Sequence, residues 1–281
     1  MRADAPTYEA LKQETQESLQ ARLAASPEDA ARWIEAAAHS GSKPSIVNWA
    51  QMLLDGQGTR RDPEAAFRWF RIAAETGYPD GINMVGRCYE LGWGTAVDLE
   101  EAARCYNLAA ALDHHWAKFN LGVMLVAGSG VKRDLATALS LFVASARAGN
   151  HKAMNMIGRY CEEGWCGSRK PAAAMRWYAR AAFRGCFRGQ FHLARFYASA
   201  GRIEEATAWL QSSINNAPAD FCADIAPLLE RHPHPAIQAL SKRASIKVSL
   251  AMRPEGVKSH TKSRRPSRLG LAFRGIKKRS S

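Results

Sequence analysis

The sequence lacks long apolar runs, paired cysteines and an apolar stretch near residue 1. No window approaches the roughly 18 consecutive apolar residues that a membrane-spanning helix needs, and residues 1–16 have no apolar segment of the kind found in secretory signals. The six cysteines form no CxxC pair and no closely spaced framework, which favours free thiols in a reducing compartment. From these absences, and from a high alanine and arginine content that suggests a GC-rich genome, we expect a bacterial cytoplasmic protein.

Catalytic and metal-binding signatures are also missing. The sequence contains no P-loop, GxSxG, HExxH or dinucleotide fingerprint. His232 and His234 offer only two imidazoles on a proline turn, and Glu162 and Glu163 are interpreted as solvated carboxylates at the end of a helix. We therefore predict a protein that is not an enzyme and that needs no cofactor, no metal ion and no small-molecule substrate.

Basic residues are concentrated in the last part of the chain. The net charge of the chain is +13, yet the first 240 residues are nearly neutral, because residues 241–281 hold 13 Lys and Arg against one acidic residue, Glu255. A run so rich in Lys, Arg and Ser, with few large apolar residues, cannot bury enough surface to fold alone. We predict a disordered basic tail over residues 241–281.

A repeat with a period of 36 residues dominates the rest of the chain, without a gap between residues 26 and 194. Two helices pack closely only where a small residue lets their backbones approach, so a recurring small residue indicates pairs of packed helices. The small column is Ala50, Gly86, Gly122, Gly158 and Ala194, the loop column is Gly56, Gly92, Gly128 and Gly164, and the bulky column is Ile34, Phe70, Tyr106, Phe142 and Tyr178.

Each repeat is predicted to form two helices joined by a glycine-containing loop. In residues 42–77, Gly56 is expected to end the first helix, because glycine adopts the left-handed cap conformation at low cost. Asp62 is the predicted N-cap of the second helix, with Pro63 at its first position.

This pattern resembles the Sel-1-like repeat, a 36-residue relative of the tetratricopeptide repeat. The resemblance implies an all-α fold, a right-handed superhelical solenoid of about six helix pairs. The residues that carry it most clearly lie in the repeat 114–149 and are Ala117, Leu121-Gly122, Gly128-Ser-Gly130-Val131, Asp134 and Ala138.

We assign residues 6–240 to this solenoid, and two of its units depart from the pattern. In one of them, Cys166 and Lys170 replace the second loop glycine and the capping aspartate, and a later unit is shortened like a tetratricopeptide repeat. The predicted units are 6–41, 42–77, 78–113, 114–149, 150–185 and 186–217, with closing helices in 218–240.

Two columns on the first helices of the repeats predict a binding surface. One column contains Asn83 and the other, one helical turn later, contains Arg87. Both lie on the side of the helix opposite the predicted packing face, and the resemblance implies that this outer side lines the concave groove of the solenoid. Asparagine can hydrogen-bond a peptide backbone and arginine can clamp a carboxylate, so a partner peptide is one interpretation and a solvated polar stripe is the other. The predicted partner-binding residues are Asn83, Arg87, Phe119, Val123, Asn155, Arg159, Phe191 and Arg195.

The resemblance implies a scaffold or adaptor for protein–protein interaction. Secreted cysteine-rich relatives linked with β-lactam or cell-wall chemistry are a weaker match, since their paired cysteines are absent here. The alternative function is binding of nucleic acid or an anionic membrane surface through the basic tail. The tail can also be interpreted as a solvated extension that has no function. The tail residues that would act are Arg264, Arg265, Arg268, Arg274, Lys277, Lys278 and Arg279.

Overall fold

The computed structural model describes residues 26–252, which are helical throughout apart from the connecting loops. The all-α fold expected from the sequence is confirmed over this range. The helices are α1 Pro27–His39, α2 Lys43–Asp55, α3 Pro63–Glu75, α4 Pro79–Leu91, α5 Leu99–Ala111, α6 His115–Ala127, α7 Leu135–Arg147, α8 His151–Glu163, α9 Pro171–Phe183, α10 Phe187–Ser199, α11 Ile203–Asn216, α12 Ala219–Glu230 and α13 Pro235–Met252.

Side-chain caps fix where the second helices of the early repeats begin. Asp62 Oδ1 accepts a hydrogen bond from the Ala65 amide at 2.8 Å, and Ser26 Oγ accepts one from the Asp29 amide at 3.0 Å. Each cap satisfies an amide that has no partner inside its helix. The first helices end at glycines in the left-handed conformation, with φ of 71° at Gly56, as the sequence predicts.

Residues 26–134 form one compact unit that contains α1 to α6. Each of these helices packs against the next one along the chain, which is the arrangement of a helical repeat array. The bulky column lies at the centre of this packing, where Phe70 and Tyr106 are fully buried. The repeat period therefore marks core positions, as predicted.

Residues 135–252 form a second compact unit that contains α7 to α13. Successive helices from α7 to α11 pack on one another, and α12 and α13 form a closing pair in which α13 also packs on α11. Its core includes Tyr178, Leu193 and Ile237. The boundary between the units falls between α6 and α7, inside the predicted repeat 114–149.

The last helix corrects the predicted start of the basic tail. Residues 241–281 were predicted to be disordered, but α13 continues through this boundary to Met252 and buries Ser241 and Ala244. The apolar periodicity of α13 outweighs its local charge, because these side chains pack against α11 and α12. The seven tail residues predicted to bind an anionic surface, and residues 6–25 of the first predicted unit, lie outside the described residues.

The small column has a steric cause that is visible at two tyrosines. A Cβ added to Gly86 would lie 2.9 Å from the ring of Tyr106, and one added to Gly158 would lie 2.6 Å from the ring of Tyr178. Real Cβ atoms do not approach other heavy atoms so closely. Glycine in the first helix is therefore what admits a buried tyrosine from the second helix.

The second glycine of three loops lies against the backbone of the preceding repeat. A Cβ on Gly58 would lie 1.8 Å from the carbonyl oxygen of Pro27, and one on Gly94 would lie 2.0 Å from that of Pro63. Gly130 has the same relation to Leu99. These glycines also have φ of 67°, which side chains disfavour. A helix start and a loop 31 residues later are thereby brought into backbone contact.

Candidate functional site

The structure removes three residues from the predicted groove. Asn83, Asn155 and Phe119 were expected to face solvent, but all three are buried. For Asn83 the cause is the next repeat in the same unit, since Nδ2 of Asn120 on α6 donates to Asn83 Oδ1 at 3.1 Å. Asn155 Oδ1 has no hydrogen-bond partner within residues 26–252.

Two of the predicted arginines stack on the loop tryptophans of their own repeats. The guanidinium of Arg87 lies 4.7 Å from the ring centroid of Trp93, and that of Arg159 lies 5.2 Å from the centroid of Trp165. All four side chains are half-buried. A guanidinium over an indole face is favourable, and its edge remains able to donate hydrogen bonds. The pair Arg87–Trp93 lies in the first compact unit and the pair Arg159–Trp165 in the second.

A glutamate near the end of the same first helix accepts a hydrogen bond from the buried tyrosine. The distance is 2.6 Å from Tyr106 to Glu90 and 2.7 Å from Tyr178 to Glu162. Burial, and then the adjacent carboxylate, raise the pKa of both phenols, which stay protonated as donors. Glu162 is therefore a structural acceptor and not the solvated carboxylate that the sequence suggested.

His192 on α10 contacts both Tyr178 and Arg195. Its ring stacks on Tyr178 with centroids 4.5 Å apart, and its Nδ1 lies 3.0 Å from Nη1 of Arg195. Burial lowers the pKa of His192 well below its usual value, and the positive charges of Arg195, Arg159 and Arg188 lower it further. Because a guanidinium only donates, Nδ1 accepts and the ring is neutral.

Acidification is expected to destabilise the protein partly through His192. The unfolded chain takes up this proton near pH 6.5, whereas the folded protein does so only at lower pH. The unfolded state then binds more protons, so the free energy of unfolding falls as the pH drops below about 6.5. His192→Gln should show a smaller loss of melting temperature between about pH 7 and about pH 5. Parallel curves for the two proteins would contradict this assignment.

An open pocket of about 800 Å³ lies among the last helices of the second unit. Phe191 and Phe196 of α10 form one wall, and Leu229 and Ile237 of the closing helices lie in its floor. The turn containing His232 and His234 borders it. The size is typical of a site that takes a small ligand or a few side chains, and the lining is mostly apolar.

The polar end of this pocket is formed by Arg195 and Glu162. Arg195 Nη2 lies 3.4 Å from Glu162 Oε1, and the Arg195 side chain is half exposed. Of the eight predicted residues, the pocket brings together Phe191 and Arg195. Arg87 and Val123 belong to the other unit.

Sequence reasoning missed the part of the pocket that comes from the closing helices. Leu228 at the pocket, with 59% of its surface exposed, and Ile237 in its floor have no equivalent in the repeat columns. The 36-residue period ends before α12, so column comparison could not select them. The relevant signal was the apolar run Ile225–Leu229 directly before the His232 turn.

Two of the cysteines, Cys105 on α5 and Cys161 on α8, are half-buried. Burial raises the pKa of Cys105 to about 11, and it also raises the pKa of Cys161, so neither thiol is activated as a nucleophile. No group of three His, Cys, Asp or Glu side chains in this range is arranged to hold a metal ion. Over the same range, no helix is both long and apolar enough to cross a membrane.

The sequence matches the Sel1 repeat family at four consecutive segments, residues 44–78, 79–114, 117–150 and 151–185. These segments coincide with the four central predicted units to within three residues. A comparison with curated proteins finds no match.

Solved structures share the fold at low sequence identity. A Sel1 repeat protein from Oxalobacter formigenes superposes with a TM-score of 0.70 at 23% identity, covering 84% of this chain and 99% of that one. A protective antigen of uropathogenic Escherichia coli with an SLR fold gives 0.61 at 24% identity, covering 86% of this chain and 53% of that one. An immunity protein from Pseudomonas aeruginosa gives 0.54 at 14% identity, covering 78% and 89%. At such identities the likeness establishes the fold alone.

Proposed function

Because the chain is a Sel1 repeat protein, with matched repeats between residues 44 and 185, we propose that it is a non-enzymatic scaffold that binds an exposed segment of a partner protein. Sel1 repeats generally form scaffolds for protein–protein interaction. The finer part of the proposal is the place of binding, which is the pocket of the second unit.

The observation that carries the proposal is the open apolar pocket beside Arg195. Monomeric proteins rarely leave a concave apolar surface uncovered unless it receives a ligand or partner. Its floor consists of side chains that are already buried, such as Leu210 and Ile237, so an incoming apolar group completes the core packing. The occupant we propose is a leucine-sized or aromatic side chain of the partner.

Arg195 supplies the polar half of the recognition. It is half exposed, and its contact with Glu162 is long at 3.4 Å, so donors on its guanidinium remain available. A carboxylate of the partner segment could be clamped there while the apolar side chain enters the pocket. In the first unit, Arg87 on Trp93 offers a second cation of the same kind. The proposed binding residues are therefore Phe191, Arg195 and Leu228, with Arg87 as a separate contact. They take the place of the eight groove residues predicted from the sequence.

The variant Leu228→Asp tests the pocket. Leu228 is largely exposed, so the change should leave helicity and melting temperature nearly unaffected. It places a charge at the mouth of an apolar pocket, and partner capture should fall about tenfold or more. The measurement is quantitative mass spectrometry of proteins that copurify with tagged full chain from an extract of the source cells.

The matched control is Leu108→Asp on α5 in the first unit. Leu108 is 55% exposed, so its replacement removes nearly as much exposed apolar surface as that of Leu228, and it does not line the pocket. The same partner should be retained by this variant. If Leu108→Asp loses the partner and Leu228→Asp keeps it, the pocket is not the binding site.

A further inference from the structure

The outermost helix of the second unit has an unusual outer face. The terminal helices of repeat arrays need polar outer faces to remain soluble. On α13, however, Ile246 and Leu250 are each 57% exposed. Spaced four residues apart, Ile246 and Leu250 lie on the same side of the helix.

The orientation of α13 is fixed by its opposite side. Ile237, Leu240, Ser241 and Ala244 are buried. Lys247 Nζ donates to the carbonyl oxygens of both Ile214 and Asn215, at 2.7 Å each, at the end of α11. At 100° per residue, Ile246 and Leu250 point away from this packed side. Their exposure is therefore a property of the folded helix.

Positive charge flanks the two aliphatic residues. Lys242 and Arg243 are exposed one turn before Ile246 and lie on either side of it on the helical wheel. Both terminal nitrogens of Arg243 donate to the side-chain oxygen of Gln211, one of them at 3.2 Å, and because this amide is neutral it does not neutralise the charge of Arg243. From Arg231 to Pro254 the sequence has no acidic residue, and it then continues into the basic tail.

We propose that the outward face of α13, formed by Ile246 and Leu250 between Lys242 and Arg243, binds the surface of an anionic lipid membrane. Aliphatic side chains beside cations suit a bilayer interface, where the apolar groups enter the acyl boundary and the cations meet the headgroups. A nucleic acid backbone would use the cations and leave the aliphatic groups exposed. The face is distinct from the pocket and does not depend on the proposed scaffold function.

Vesicle binding by the full 281-residue chain tests this proposal. The probes are vesicles of phosphatidylcholine alone and of phosphatidylcholine mixed with phosphatidylglycerol, measured by cosedimentation across a salt series. We expect binding to the mixed vesicles, weakened by salt, and little binding to phosphatidylcholine alone. The double variant Ile246→Gln with Leu250→Gln should lower binding on the order of tenfold without loss of helicity, since glutamine is a good helix former.

The matched control is Ile72→Gln with Leu108→Gln, which removes one exposed isoleucine and one exposed leucine from the first unit. It should bind the mixed vesicles like the unchanged chain, whereas Lys242→Gln should weaken binding and flatten its salt dependence. Full vesicle binding by the α13 double variant would overturn the proposal. So would binding of duplex DNA in place of vesicles, or a dimer in sedimentation velocity that the double variant dissociates.

Discussion

Replacing Gly94 with alanine is expected to lower the free energy of unfolding by about 3 kcal/mol. Gly94 has φ of 67°, and an added Cβ would lie 2.0 Å from the carbonyl oxygen of Pro63. The left-handed conformation costs a non-glycine residue about 1–2 kcal/mol. The backbone contact adds an overpacking cost of similar size, because a helix start cannot move aside as a side chain can. Urea unfolding followed by circular dichroism measures the sum.

Gly77→Ala separates these two costs. Gly77 has a nearly identical φ of 71°, but apart from its two chain neighbours no described residue comes within 4 Å of the position of its Cβ. This variant should lose only the conformational part, about 1 kcal/mol. Equal losses at the two positions would mean that the contact between Gly94 and Pro63 relaxes freely.

Gly158→Ala is expected to destabilise by about 2 kcal/mol, which is opposite in sign to the usual effect of alanine in a helix. Glycine inside a helix is normally about 0.5–1 kcal/mol worse than alanine. Here the new Cβ would lie 2.6 and 2.7 Å from two carbons of the Tyr178 ring. The ring must shift, which also strains its hydrogen bond to Glu162.

A double-mutant cycle identifies the ring as the cause. In the background of Tyr178→Leu, the smaller side chain leaves room for the methyl group, so the cost of Gly158→Ala should largely disappear. Thermal and urea unfolding of the four proteins provide the coupling energy. If the losses of stability of the two single variants are additive in the double variant, the clash does not involve the Tyr178 ring.

The helices were predictable because their signals are local. Asp62 caps α3 and Gly56 ends α2 as the sequence suggested, since each acts through amides or dihedral angles within a few residues. The repeat columns added the core, where Phe70 and Tyr106 are fully buried. Because a fixed period repeats the same packing environment, the core positions of one repeat predict the core positions of the others.

The binding face was less predictable because solvent exposure depends on the neighbouring repeat. Asn83 lies on the polar side of its own helix, yet Asn120 of the following repeat covers it. The sequence of one helix contains no information about this contact. The pocket was missed for a related reason, since Leu228 and Ile237 belong to helices outside the period.

The start of the tail was misplaced because composition was given more weight than periodicity. Lys242, Arg243 and Lys247 raise the local charge, but Ile237, Leu240 and Ala244 continue a helical pattern through residue 240. Lysine and arginine on the outer side of a helix do not oppose its folding when the inner side packs.

The loop glycines also constrain the length of the repeats that contain them. Gly58, Gly94 and Gly130 each contact the backbone of the first residue of a helix in the preceding repeat. A residue inserted or deleted between the two contacting segments would therefore break this contact. At the equivalent place in residues 150–185, Cys166 stands instead, and the adjacent Gly167 has open space around it. In the three repeats that have this glycine, the contact fixes the 31 residues from a helix start to the next loop, so insertions are expected only outside that stretch.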